Sequence, residues 1–106
     1  MRDHALVFLP FQSHFHAAIR DGRKTMTCRS KKYGEAGDVV DSPIGPLRFT
    51  KVEPVKLGVV ADDHWRNEGC NSTRDFIQVW NQIHPRKRFH ADTIVFAHTF
   101  EVVRGG

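Results

Sequence analysis

Cysteine is scarce: Cys28 and Cys70 are the only two, too far apart in sequence for a C-x-x-C motif. Their spacing excludes a paired-thiol redox or metal motif and leaves two buried thiols as the expectation. No apolar run approaches the length of a membrane-spanning helix, so no membrane partner is expected. Met1-Arg2-Asp3-His4 precedes only a short apolar stretch, without the pattern of a secretory leader, and a cytoplasmic location is the expectation. There is no G-x-G-x-x-G or Walker sequence, so no nucleotide-cradling loop competes for the fold. The seven histidines form neither H-E-x-x-H nor a tight His/Asp cluster, and neither a metal nor a cofactor is expected. Heptads, internal repeats and low-complexity linkers are missing as well.

What is present fits one domain. The chain has 106 residues, of which 1–104 are assigned to a single unit and Gly105-Gly106 to a frayed end. Apolar residues make up 40%, eight of them Phe, which is sufficient for one modest core. The formal net charge of +4 favours an anionic partner without specifying which.

Periodicity gives the elements. Ala5 to Leu9 reads as a first strand, and Pro10 suits the start of a helix. Phe11, Phe15, Ala18 and Ile19 recur at helical spacing, and Gly22 ends that helix. Thr25, Thr27 and Arg29 alternate with Met26 and Cys28 in a half-buried strand, the latter pair inward. Asp38-Val39-Val40 starts another strand, and Pro43, Gly45 and Pro46 punctuate a hairpin. Leu47 to Glu53 alternates, with Leu47, Phe49 and Lys51 on one face. Pro54 is expected to break it, with extended chain resuming from Val55 to Val60. Ala61 to Arg66 reads as a short helix. Ser72 caps a second one that carries Phe76, Val79, Trp80 and Ile83 on one face and closes at Pro85. The last strand runs from Asp92 to Val103, with Ile94, Phe96, His98, Phe100 and Val102 inward and Val95, Thr99 and Glu101 outward. The result is an α+β domain with a curled antiparallel sheet.

The run Gly22-Arg23-Lys24-Thr25-Met26-Thr27-Cys28-Arg29 resembles the signature of the ASCH domain family, within the PUA-like superfamily. Gly37-Asp38-Val39, Glu68-Gly69, Phe76, Trp80, His84-Pro85 and the closing Phe100-Glu101-Val102-Val103 extend the resemblance over nearly the whole chain. It implies a small PUA-like β-barrel of five or six strands flanked by two or three helices, with a cleft between barrel and helices. It also implies RNA binding, or action on RNA or a modified nucleoside. One small branch of the family consists of N4-acetylcytidine amidohydrolases, which release cytidine and acetate. Their catalytic lysine, threonine and glutamate fall on Lys24, Thr27 and Glu68. Other members resemble ribonucleases. The expected partner is therefore RNA or a modified cytidine nucleoside.

The same residues have readings of their own. Lys24 in an apolar cleft can act as a base, or can hold a phosphate. Thr27 is a nucleophile only beside a base, and is otherwise a surface β-former. Arg29 suits a phosphate, a base edge or a salt bridge to Asp38 or Glu68. Glu68 either shuttles a proton or keeps Lys24 charged. Lys31, Lys32, Tyr33, Arg86, Lys87 and Arg88 offer a basic groove for a nucleic-acid backbone, with Tyr33 or Trp65 as a stacking ring. Trp80 is placed in the core. For ribonuclease chemistry, His14 and His16 point to different helix faces and make a poor acid–base pair.

Overall fold

The computed structural model describes residues 7–104. The expected first strand therefore lies partly outside the described residues, as does the Gly105-Gly106 end. Within them, Val7 to Leu9 run beside Asp41 through a single parallel bridge at Phe8.

The helix expected from Pro10 begins only at Ser13, residues 10–12 being non-helical: a short 3-10 turn, Ser13–Phe15, leads into α1, His16–Arg20. Gly22 follows at φ +77°, where the left-handed backbone favours glycine and the helix ends. β1 is Met26–Arg29, β2 Val39–Val40, β3 Leu47–Lys56 and β4 Ile94–Val102. They form one antiparallel sheet in the order β1-β4-β3-β2. α2, Leu57–Asp63, and α3, Thr73–Ile83, separate β3 from β4. Ser72 caps α3, its hydroxyl accepting from the Asp75 amide at 3.0 Å.

The described sheet has four strands rather than five or six, and two local effects account for the difference. Only Val55 and Lys56 continue the strand expected over Val55 to Val60; from Leu57 the chain is helical, because Leu57, Val60 and Ala61 share a helical face and all three are buried. The expected helix over Ala61 to Arg66 thus begins four residues earlier, at Leu57. Pro54 does not break β3. β2 pairs only with Leu47 and Arg48, so β3 has an open edge at Pro54, where strands tolerate proline.

A register shift between Phe49 and Lys51 turns Lys51 outward, and Val52 takes the inward place opposite His98. The sheet is covered on both faces. On one, Met26, Cys28, Val95 and Ala97 pack with α2 and α3; on the other, Leu47, Phe49 and Phe100 pack with Leu9 and Ile19. This explains why Val95 is buried, against the expected parity, while Ile94 at the strand's start is exposed.

Candidate functional site

β1 is an edge strand, and its free side meets the Asn67-Glu68-Gly69 turn. The amides of Thr25 and Met26 both donate to the Asn67 carbonyl, and Lys24 bridges to Glu68. Gly69, at φ +81°, lets the turn come this close: a Cβ there would stand 3.1 Å from the Lys24 Cβ. The turn is thereby locked onto the start of β1.

Lys24 and Glu68 are both buried, with the ammonium 3.0 Å from Glu68 Oε1. Lys24 Nζ also donates to the carbonyls of Met26 and Glu68, each at 3.0 Å. Three acceptors match the three N–H groups of an ammonium, and a neutral amine has one fewer to give. The Phe15 ring lies over the same nitrogen, 4.6 Å from it to the centroid. Glu68 Oε2 has no hydrogen-bond partner among the described residues.

Thr27 is buried rather than a surface residue, because β1 is covered on both faces. Its hydroxyl accepts from Arg29 Nε at 3.0 Å. Arg29 Nη2 donates to the Pro10 carbonyl, and the guanidinium lies over the rings of Phe11 and Tyr33. The salt bridge considered for Arg29, to Asp38 or Glu68, is not made. Burial lowers the Arg29 pKa, and the neighbouring Tyr33 opposes the shift.

Lys24, Thr27, Arg29 and Glu68 line one cavity of about 340 Å³. One wall is the Pro10–Phe15 segment; the other is the face of α3 that carries Phe76, Val79, Trp80 and Ile83, continued by His84. Trp80 packs on the α2–α3 core, as expected, but is only half-buried: it also lines the cavity, beside His84 with ring centroids 4.2 Å apart. The cavity role does not show in the sequence because a cavity wall and a core contact use the same helical face. Cys28 and Cys70 also line the cavity and are reduced, as expected of buried thiols. Burial, then the Glu68 carboxylate, pushes Cys28 up and brings Cys70 to about 11, so both stay protonated.

The other candidates are more dispersed. Tyr33 lies beside Arg29 and Lys31. Its amide donates to His98 Nε2 at 3.0 Å, which puts the His98 proton on Nδ1, facing the Thr27 carbonyl at 3.3 Å. His98 is fully buried, and burial lowers its pKa. Lys31 and Lys32 are exposed, Lys32 paired with Glu35. Arg86, Lys87 and Arg88 are exposed just past His84-Pro85, and the His84 pKa is lowered by burial and then by the charges of Arg29 and Lys87. Trp65 does not line the cavity; it packs on the α2–α3 core with Arg66 over its ring. His14 stacks on Phe15, whereas His16 Nε2 meets the Phe11 carbonyl at 3.3 Å. Among the described residues no cluster of His, Cys, Asp or Glu could hold a metal, and no helix is long and apolar enough to cross a membrane.

No protein-family model matches the chain, and no curated protein matches it significantly. Solved structures do. The hypothetical protein PH0355 is 16% identical, with a TM-score of 0.72 over 91% of this chain and 97% of that one. EF3133 from Enterococcus faecalis, described under the family model DUF984, is 23% identical, with a TM-score of 0.63 over 85% of this chain and 67% of its own. An ASCH domain from Lactobacillus crispatus is 16% identical, with a TM-score of 0.59 over 90% of this chain and 79% of that one. At these identities the likeness is one of fold, and the fold is that of an ASCH domain.

Proposed function

We propose that this ASCH-type domain binds single-stranded RNA and takes one of its bases into the cavity beside β1. The observation that carries the reading is the cavity's construction. Aromatic side chains from two separate segments, Phe11 and Phe15 against Phe76 and Trp80, flank a floor of hydrogen-bonding groups. A planar base offers faces to stack and edges to hydrogen-bond, and unpaired RNA can splay its bases out. Arg86, Lys87 and Arg88, at the end of the α3 wall, supply charge for the backbone.

The test is titration of a labelled single-stranded RNA at low and moderate salt. Affinity should fall as salt rises, and neutralising Lys31, Lys32, Arg86, Lys87 and Arg88 together should weaken binding and flatten the salt dependence. Failure to bind at low salt, or binding indifferent to salt, refutes the reading.

A second reading, hydrolysis of N4-acetylcytidine, draws on the convergence of Lys24, Thr27 and Glu68 on that cavity. The Thr27 hydroxyl accepts from Arg29 and keeps its own proton to give. Lys24 already donates to three acceptors, so it becomes a base for Thr27 only if substrate entry drives one of its protons onto the paired Glu68 carboxylate. Lys24 would then take the Thr27 proton as its oxygen attacks the acetyl carbonyl, Glu68 would pass the proton it received to the departing N4 nitrogen, and water would release acetate from Thr27. Cytidine release by the parent, lost in Lys24→Ala, Thr27→Ala and Glu68→Ala, supports this chemistry. A parent that is inert across a range of pH removes it and leaves the binding reading in place.

A further inference from the structure

We propose that Arg29 is an oxyanion site within the cavity, and that the ligand lays a phosphate on it. The inference rests on the reading of the cavity as a nucleotide site and adds the charge and the contact point of the group it accepts.

Charge comes first. Lys24 and Glu68 neutralise each other, so Arg29 leaves the charged side chains lining the cavity with one positive charge in excess. No carboxylate pairs with Arg29 among the described residues. Lys87 and Arg29 both act electrostatically on His84, which also lines the cavity, so this rim is cationic rather than balanced. A half-buried guanidinium without a counter-ion is an unfavourable arrangement that an incoming anion relieves.

Donor geometry comes second. Arg29 has five N–H groups, and the protein takes Nε through Thr27 and one on Nη2 through Pro10. Of the other three hydrogens, one on Nη2 and both on Nη1, the nearby Tyr33 hydroxyl can draw on one, which leaves two to spare. These same two contacts, with the rings of Phe11 and Tyr33, hold the guanidinium plane in place. A fixed guanidinium with two N–H groups to spare is suited to two-point binding of an oxyanion. The neighbouring aromatic walls favour an anion attached to a flat ring, and a nucleotide phosphate meets both conditions.

The experiment measures calorimetric affinities for adenosine and cytidine, for their 5′-monophosphates, and for the corresponding dinucleotides joined by one phosphodiester. The phosphate should strengthen binding about tenfold or more. Arg29→Gln should abolish that increment, and Arg29→Lys, which keeps the charge and loses the fork, should restore only part of it. A larger increment for the monoester assigns the site to a chain end or a free nucleotide; an equal one assigns it to a phosphate within a strand. Thermal unfolding of both variants guards against misfolding. Independently of any variant, inorganic phosphate should give a saturable ³¹P shift with the unaltered protein, reversed by the monophosphates. Equal affinity for nucleoside and nucleotide, an increment that survives in folded Arg29→Gln, or no ³¹P response overturns the inference. RNA binding without an Arg29-dependent phosphate increment defeats this inference alone. Nucleotide binding that needs Arg29, with no binding of longer RNA, defeats the strand-binding reading alone.

Discussion

Replacing Lys24 with methionine removes an ammonium that serves three buried acceptors and leaves the Glu68 carboxylate without its counter-charge. Breaking a buried pair by deleting one partner costs about 3–5 kcal/mol. With an urea m-value of about 2 kcal/mol/M for a domain of this size, the midpoint should fall by roughly 1.5–2.5 M. The converse change, Glu68→Leu, strands the Lys24 ammonium and should lower stability similarly. In the double variant no buried charge is left unpaired, although the Met26 and Glu68 carbonyls still lack their donor. The double loss should therefore be smaller than the sum of the single losses by about 2 kcal/mol or more. Urea denaturation followed by far-UV circular dichroism measures all four proteins. Single losses below about 1 kcal/mol, or losses that simply add, would refute the view that this ion pair locks the 67–69 turn onto β1.

Trp80→Ala should weaken RNA binding by about 1–3 kcal/mol in an anisotropy titration, whereas Trp65→Ala, away from the cavity, should lower stability with little loss of affinity. Because burial lowers the His98 pKa in the fold, its contribution to stability is fully present above the unfolded value, near about 6.5, and is lost as pH falls through the native one. The Tm between about pH 7.5 and 5 should accordingly decline more steeply in the parent than in His98→Gln, and parallel curves would contradict the assignment. Gly58→Ala places a Cβ 2.9 Å from the Ala91 Cβ and 3.1 Å from its carbonyl oxygen, and should destabilise by about 1–3 kcal/mol in the same urea assay.

Local signals carried much of this architecture. Gly22, the Ser72 cap and the alternation through Leu47 and Phe49 each act within a few residues and placed α1, α3 and the start of β3. The errors arose where a distant partner decides. Thr50 looks like any alternating residue, yet it lies at the register shift that turns Lys51 outward. Leu57 to Val60 is apolar enough for either strand or helix, and burial against α3 and β4 selects the helix. At the site, the signature around Lys24 and Thr27 led to the cavity, but Glu68 was legible only through the family pattern, because its partner lies 44 residues away. The cavity role of Trp80 does not show in helical spacing, and Trp65, an aromatic in a turn, resembles a free stacking ring in sequence although it packs on the core.

The most direct test of base recognition reads the cavity floor through the backbone amides of Thr27 and Arg29, beside the chain's two indole N–H signals: Trp65 lies away from the cavity, whereas Trp80 lines it and donates its indole N–H to the Lys87 carbonyl at 3.3 Å, so it also senses the basic loop. Heteronuclear NMR during titration with a short single-stranded RNA follows both at once, once single Trp→Phe variants have assigned them. Entry of a base should shift the Trp80 indole signal and the backbone amides of Thr27 and Arg29, while the Trp65 indole stays in place. Shifts confined to Arg86, Lys87, Arg88 and the Trp80 indole bonded to that loop, with the Thr27 and Arg29 amides unmoved, would mean that RNA touches the surface charge and never enters the cavity.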